Sequence, residues 1–360
     1  MAIEFGERIR RIPSYPLADG YDLGADVAML ASNESWQPPG AQVVAAAQAA
    51  LAGANRYPDP SYAALRGALS DRYGVGKQRI ALGNGSCDIL LSAGEALLEP
   101  GAEVVYAWPA FSVYPHLAAA SGARGIAVPL DSDDRHDLDA MANEVTVATR
   151  LVLICNPNNP TSTSIGLGDI EAFLDRVPRH VAVILDEAYA EFALALGDTY
   201  ASVDLLRRWP NLVILRTFSK VYGLAGLRVG YGLCGSEDFR AAVDQVRQPF
   251  YLNVAAQAAA VEALRHQDEV ERRVVRTVAA RTELSDGVRE LGLWVAESDA
   301  NFVWTHLPED AVEADVVSGL ASRGVLVRAG GALGRDGSLR VTVGTDDENG
   351  RFLSAMSELV

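Results

Sequence analysis

The chain has 360 residues, of which 49% are hydrophobic and 22% charged, and its sequence pI is about 4.8. A chain of this size and composition can bury one or two sizeable cores, which excludes disordered, collagen-like and small disulfide-stabilised proteins. The net charge of −16 makes nucleic acid and anionic membranes poor partners, and the sequence has no Cys/His spacing typical of a metal site. The charged first residues do not suit a signal peptide and no apolar run reaches the roughly 18 residues of a membrane span, so we expect a cytoplasmic protein.

Apolar residues recur at helical spacing over residues 40–53 and 60–73, and from about residue 80 the pattern becomes that of alternating strands and helices. Short continuous apolar runs follow at residues 103–107, 150–155, 181–187, 211–219 and 229–234. Such runs are typical of strands in a mostly parallel sheet covered by helices on both faces. After Pro249 the chain is predominantly helical over 254–291, and strand-like runs recur at 301–307, 324–330 and 338–344.

This change of pattern predicts an α/β fold with two domains. We expect a large domain over residues 35–253. We expect a smaller α+β domain made of the N-terminal arm, residues 1–34, and the C-terminal segment, residues 254–360.

Lysine is scarce in this chain. Of 31 basic residues only two are lysines, Lys77 and Lys220, and the others are arginines. A GC-rich genome explains the general bias towards arginine, but not why Lys220 lies in the apolar-flanked stretch RTFSKVYGLAGLRVGY. A lysine retained there indicates a need for an amine whose pKa can be shifted.

Polar side chains follow the predicted strands where each one ends, and chemistry in such folds lies at this edge of the sheet. They comprise an amide, a carboxylate, a phenol, two hydroxyls, an amine and a guanidinium, in chain order Asn159, Asp186, Tyr189, Thr217, Ser219, Lys220 and Arg228.

This set of groups suits a pyridine aldehyde phosphate. A deprotonated amine forms a Schiff base with an aldehyde, and a buried carboxylate keeps a pyridine nitrogen protonated. Hydroxyls and an arginine hold a phosphate dianion, and the turn GNGSCD begins a helix whose free N–H groups form an anion site. Phe111 is available to cover one face of the ring.

The runs NPNNPTS, DEAY and RTFSKVYGLAGLRVGY, together with NRYPDP and LRVTVGT, resemble the fold-type I pyridoxal-phosphate aminotransferases. The similarity is to the histidinol-phosphate aminotransferase family and its aromatic-amino-acid branch, and it extends from IPSYP and LASNES in the arm to LRVTVGT. The resemblance implies a seven-stranded, mostly parallel sheet and pyridoxal 5'-phosphate as cofactor.

The resemblance also implies a role for each motif residue. Lys220 is the Schiff-base lysine and later the general base, and Asp186 pairs with the pyridine nitrogen, while Asn159 and Tyr189 bind the ring hydroxyl. The phosphate is held by Thr217, Ser219, Arg228 and the backbone of Ser86 and Cys87, with Phe111 stacked on the ring. Tyr57 reaches the cofactor of a neighbouring subunit, which implies a homodimer with shared active sites. The substrate side is formed by Arg340, which binds the α-carboxylate, and by Arg328, Tyr15 and Asn33.

We predict a transaminase that moves an amino group between an aromatic amino acid and 2-oxoglutarate. Pro160-Thr161-Ser162 and Asn33-Glu34-Ser35-Trp36 stand where many relatives have NPTG and NENP, and they favour the aromatic branch. Histidinol phosphate is the alternative amino donor. From other classes, a decarboxylase of a phosphorylated amino acid would release CO2 without a 2-oxo acid, and a non-enzymatic cofactor-binding module would show no half-reaction.

Overall fold

The computed structural model describes residues 3–12, 26–193 and 200–360. Its main feature is a seven-stranded sheet in the order β2-β8-β7-β6-β5-β3-β4, in which β8 alone runs antiparallel to its neighbours. The strands are β2 Ile80–Gly83, β3 Glu103–Trp108, β4 Arg124–Pro129, β5 Thr149–Cys155, β6 Ala182–Asp186, β7 Leu212–Thr217 and β8 Gly230–Cys234. The predicted mostly parallel sheet is therefore confirmed.

Alternate residues of each central strand point to opposite faces of the sheet, and both faces are buried. One face packs against α3 Ser86–Leu97, α4 Val113–Ser121 and α8 Glu237–Val246. The other packs against α2 Ala63–Tyr73, α5 Leu138–Asn143, α6 Leu167–Arg176 and α9 Val254–Arg265, and α1 Ala41–Leu51 lies against α9. Because both faces are covered, the open region for chemistry is the edge where the parallel strands end.

The C-terminal part forms a four-stranded antiparallel sheet in the order β12-β13-β10-β9. Its strands are β9 Trp294–Val295, β10 Phe302–His306, β12 Arg328–Ala329 and β13 Ser338–Thr342. One face packs against α10 Gln267–Glu290, α11 Glu313–Ser322 and α12 Asp346–Ser357. The arm strand β1 Ala28–Met29 pairs in parallel with β11 Val325–Leu326, so this part of the arm lies against the C-terminal segment.

A short helix, α7 Ala201–Asp204, precedes β7. None of the helices in the described ranges combines the length and the apolar character needed to cross a lipid bilayer.

Candidate active site

The polar residues at the strand ends line one cavity of about 400 Å³ between the large sheet and the small sheet. Of the fifteen predicted site residues, thirteen line it: Asn33, Ser86, Cys87, Phe111, Asn159, Asp186, Tyr189, Thr217, Ser219, Lys220, Arg228, Arg328 and Arg340. The structure therefore brings together residues that are more than 300 positions apart in the chain.

The other two predicted residues are placed differently. Tyr57 is 81% exposed and stacks on Phe250, with ring centroids 4.6 Å apart, so it lies outside this cavity. Tyr15 lies outside the described residues. The role predicted for Tyr57, which is contact with a neighbouring subunit, stays a prediction.

The amine of Lys220 lies in the wall of the cavity. Its Nζ donates to the backbone oxygen of Asn33 at 2.9 Å and lies 5.5 Å from the centre of the Tyr189 ring. Burial, together with the charges of Arg340 and Arg228, lowers the pKa of this amine to about 7, against the opposing effect of the Glu34 and Asp186 carboxylates. The side chain is therefore largely uncharged slightly above neutral pH, which is the form that acts as a nucleophile or base.

Asp186 ends β6 and is 3% exposed. Its carboxylate accepts a hydrogen bond from the hydroxyl of Tyr114 at 3.1 Å and one from the backbone N–H of Ala188 at 3.3 Å. Burial raises the pKa of this carboxyl to about 6, in spite of the Tyr114 hydrogen bond that lowers it. A buried carboxylate with one side towards a cavity is suited to hold a cationic ring nitrogen, because pairing relieves the cost of burying the charge.

Asn33, a residue of the N-terminal arm, is hydrogen-bonded to the phenol of Tyr189. The Asn33 side-chain N–H donates to the Tyr189 oxygen at 3.1 Å, and the Asn33 side-chain oxygen accepts from Thr342 at 3.2 Å. Burial raises the pKa of Tyr189, so the phenol keeps its own proton available for donation. Asn33 has a left-handed backbone (φ 52°), which asparagine adopts more readily than most residues.

At the opposite end of the cavity the groups are suited to an anion. The hydroxyl of Ser219 accepts from Arg228 at 3.4 Å, and the backbone N–H of Ser219 donates to the Thr217 hydroxyl at 3.0 Å. Helix α3 begins beside them at Ser86, and its N-cap is Gly85, which has no side chain to bond the first N–H groups of the helix. Such N–H groups are orphan donors at the positive end of the helix dipole.

Two glycines allow the groups at this end of the cavity to approach each other closely. A Cβ on Gly85, which has φ +78°, would lie 2.6 Å from the Arg228 guanidinium. A Cβ on Gly230 would lie 2.4 Å from the backbone nitrogen of Ser86. Arg228 itself adopts a left-handed backbone at φ 57°, an uncommon conformation for a residue of its type. Two glycines and the uncommon backbone conformation of Arg228 therefore allow the hydrogen-bond donors to lie close together.

The small sheet provides two arginines to the cavity. Arg328 on β12 and Arg340 on β13 are directly opposite each other, so both side chains lie on one face, and both are buried. Arg340 donates to the side-chain oxygen of Asn159 at 2.6 Å and to the backbone oxygen of Ala31 at 2.5 Å. Two guanidinium groups directly opposite each other make this end of the cavity positively charged, which suits it to an anion.

Several residues of the site were not among those predicted. Tyr114, which bonds Asp186, follows Phe111 by three positions in the run AWPAFSVYP, a helical spacing that was available as a signal. Ser32, Glu34 and Leu333 also line the cavity, but neither spacing nor composition distinguishes them in the sequence.

Comparisons with known proteins agree with this geometry. Residues 25–356 match the family described as aminotransferase class I and II. An aromatic amino acid aminotransferase of Streptomyces coelicolor is 43% identical over 348 residues, which cover 96% of this chain and 95% of that protein. A protein named histidinol-phosphate aminotransferase 2 from Ralstonia nicotianae is 42% identical, with coverage of 99% and 97%.

Among solved structures, a histidinol-phosphate aminotransferase of Sinorhizobium meliloti in complex with pyridoxal-5'-phosphate superposes with a TM-score of 0.83. It is 29% identical, and the match covers 92% of this chain and 90% of that one. The resemblance read from the motifs is confirmed, and the chain belongs to the family of class I and II aminotransferases.

Proposed function

We propose that this aminotransferase uses pyridoxal 5'-phosphate to move an amino group between an aromatic amino acid and 2-oxoglutarate. The observation that carries the proposal is the arrangement of one cavity. The same cavity is lined by a lysine amine whose pKa is lowered to about 7, a buried carboxylate, an uncapped helix start and a pair of arginines. The relatives named as aromatic amino acid aminotransferases support the choice of amino donor.

The residues of the cavity fit this cofactor. Phosphate fits the donors at the start of α3 and those of Thr217, Ser219 and Arg228. Asp186 is a buried carboxylate in the cavity wall, and its hydrogen bonds from the Tyr114 hydroxyl and the Ala188 N–H come from neutral groups. The cavity of about 400 Å³ has room for a ring of this size together with a substrate. Asn159, Tyr189 and Phe111 line the same cavity, and we assign the first two to bind a ring hydroxyl and Phe111 to cover a ring face.

When bound, the cofactor supplies an aldehyde for covalent attachment and a ring that accepts the electrons released at the substrate α-carbon. Asp186 would keep the ring nitrogen protonated and so maintain that capacity. Lys220 would hold the cofactor through its amine and, as the uncharged base, would accept the proton of the substrate α-carbon. Arg340 would bind the α-carboxylate and thereby orient the bond to that proton.

The buried arginine pair supports a second amino donor. Histidinol phosphate lacks an α-carboxylate and carries a phosphate, which Arg328 and Arg340 together are suited to bind. Relatives named as histidinol-phosphate aminotransferases are as similar to this chain as the aromatic ones.

The half-reaction distinguishes the two donors. The cofactor-loaded protein is mixed separately with phenylalanine, tyrosine and histidinol phosphate, and loss of the lysine-bound cofactor absorbance is followed by stopped flow. We expect the ratio of the rate constant to the dissociation constant to be highest with an aromatic amino acid. We also expect release of the matching 2-oxo acid. A higher value with histidinol phosphate would establish the alternative, and no half-reaction with any of the three would refute the proposal.

We further propose that the enzyme acts as a homodimer. Tyr57 and Phe250 form an exposed aromatic pair, with 81% and 38% of their surfaces accessible in the single chain, and such pairs are enriched at protein interfaces. Sedimentation of the loaded protein should give twice the 38.3 kDa mass of the chain. Tyr57→Phe should weaken cofactor binding if the phenol reaches the neighbouring subunit's phosphate, and unchanged affinity would contradict that role.

A further inference from the structure

A second buried carboxylate lies outside the cavity and has no part in the steps above. Asp134 is 2% exposed and lies near the tip of a short hairpin, residues 130–136, that follows β4. It accepts hydrogen bonds from the indole N–H of Trp304 at 3.1 Å and from the His306 ring at 3.0 Å, and it pairs with Arg335. All three partners belong to the C-terminal sheet or to the segment between its strands.

These partners are connected to the arginines of the cavity through the register of the small sheet. Trp304 on β10 is directly opposite Arg340 on β13, and Arg340 is directly opposite Arg328 on β12. Residues directly opposite each other share a face of the sheet, so the three side chains form one row. Asp134 holds the tryptophan end of this row.

The same hairpin also holds the loop that presents Asn159. The backbone oxygen of Asp134 accepts from the Thr163 hydroxyl at 2.7 Å, and Thr163 is bonded to Thr161 at 2.9 Å. Both threonines lie in the run that contains Asn159, whose side-chain oxygen accepts from Arg340 at 2.6 Å. Asp134 is therefore hydrogen-bonded both to the small sheet, which carries Arg340, and to the loop that carries Asn159.

Asp134 is also connected, through Trp304 and Arg335, to the part of the cavity wall beside Arg328 and Arg340. Trp304 packs with Leu333, which lines the cavity, and Arg335 lies two residues beyond Leu333. Gly334 between them has φ +104°, and a Cβ there would lie 2.6 Å from the Trp108 indole. The turn is thus fixed against the large sheet at Trp108 and against the hairpin at Asp134.

The charge of Asp134 persists at neutral pH. Burial alone raises the pKa of this carboxyl, but the His306 hydrogen bond and the Arg335 charge outweigh burial, so the pKa lies below its usual value. The bonds to Trp304 and Arg335 are therefore made by a carboxylate, and such charge-assisted bonds are stronger than neutral ones.

We propose that Asp134 is a positioning residue for substrate binding: it fixes the row Trp304–Arg340–Arg328 against the loop of Asn159, and so sets where the substrate carboxylate binds. The inference rests on the proposed role of Arg340 as the carboxylate-binding residue. Asp134 contacts neither the predicted cofactor residues nor the reacting atoms, so its loss changes substrate affinity rather than attachment of the cofactor.

The test compares Asp134→Asn with the matched control Glu103→Gln. Glu103 is also a buried carboxylate, 8% exposed, but it begins β3 and bonds Thr146, away from the cavity. Calorimetry measures binding of 3-phenylpropionate, an unreactive aromatic carboxylate, to each cofactor-loaded protein, with 2-phenylethylamine as a probe that lacks the carboxylate. Thermal unfolding and borohydride labelling of Lys220 are measured on the same samples.

We expect Asp134→Asn to weaken 3-phenylpropionate binding by about tenfold to a hundredfold, the order of effect of misplacing a binding group. Labelling of Lys220 and kcat should stay within about threefold of the unmodified protein, KM for the amino acid should rise, and 2-phenylethylamine binding should be unchanged. Glu103→Gln should lower the unfolding temperature without weakening 3-phenylpropionate binding.

Equal effects of the two substitutions on 3-phenylpropionate binding, or no effect of Asp134→Asn, would overturn the inference. If Asp134→Asn does not fold, Trp304→Phe provides the test, because it removes the indole N–H donor and leaves an aromatic side chain at the same position. It should weaken binding in the same direction, and unchanged binding would overturn the inference. Failure of the proposed function would appear differently, as absence of Lys220 labelling and of 3-phenylpropionate binding in the unmodified protein.

Discussion

The reactivity of Lys220 towards the cofactor aldehyde should depend on pH with a midpoint near 7. The amine is buried and lies near two guanidinium groups, and its pKa falls from the usual 10.5 to about 7. Only the uncharged amine attacks an aldehyde. At pH 7.5 an ordinary lysine is about 0.1% uncharged, whereas a pKa near 7 leaves roughly three-quarters of the amine uncharged, a gain of about 750-fold in the reactive fraction.

The assay is stopped-flow absorbance of cofactor-free protein mixed with pyridoxal 5'-phosphate between pH 5.5 and 9. Titration of the free aldehyde is corrected with a small-molecule amine measured in the same buffers. The rate constant should rise as pH increases through 7 and then level off, because deprotonation generates the nucleophile.

Two substitutions test the direction in which each neighbouring charge shifts the pKa of Lys220. Arg340→Met removes a cation, so the pKa of Lys220 and the midpoint should move upward. Glu34→Gln removes a carboxylate that raises the pKa, so the midpoint should move downward. Lys77→Arg, at the other lysine, is the control and should change nothing. A midpoint near 10 in the unmodified protein, or one insensitive to both substitutions, would refute the electrostatic reasoning.

Three further substitutions test other parts of the site. Asp186→Ala should still allow borohydride labelling of Lys220 but lower the half-reaction rate at least about a hundredfold, since a preorganised charge is lost; an undiminished rate would contradict its role. Arg340→Met should raise KM for phenylalanine by about tenfold to a hundredfold through loss of charged hydrogen bonds, with little change if the carboxylate binds elsewhere. Gly230→Ala should weaken cofactor binding and lower the unfolding temperature, because the added Cβ would meet the Ser86 nitrogen at 2.4 Å and overpacking costs about 1–3 kcal/mol. Gly168→Ala is the control, since a Cβ there meets nothing within 4 Å, and equal behaviour of the two alanine variants would contradict the close approach.

The central strands and the polar residues after them could be predicted from sequence because both signals are local. Continuous apolar runs such as residues 150–155 agree with β5 to within one residue, and each strand end places its polar groups at one edge. The two strands of the large sheet that the apolar pattern missed, β2 and β4, are at its edges. β2 has only four residues, and β4 is partly exposed and contains Gly125 and Pro129, so neither gives a distinct signal.

Contacts between distant segments could not be predicted from spacing. Asn33 reaches Tyr189 and Thr342 because its backbone is left-handed and the arm lies against the small sheet. Asp134 looks in the sequence like any acidic residue of a polar turn, in the run DSDDRHD. Its burial follows from packing of the small sheet on the large one, which no local pattern encodes.

The most direct test of the account uses the scarcity of lysine in the chain. The protein is loaded with pyridoxal 5'-phosphate, reduced with borohydride, digested and sequenced by mass spectrometry. Since Lys77 and Lys220 are the two lysines of the sequence, the modified peptide shows which of these side chains has reacted. The account predicts one phosphopyridoxyl group per chain, on Lys220; modification of Lys77 alone, or no stable adduct, would contradict it.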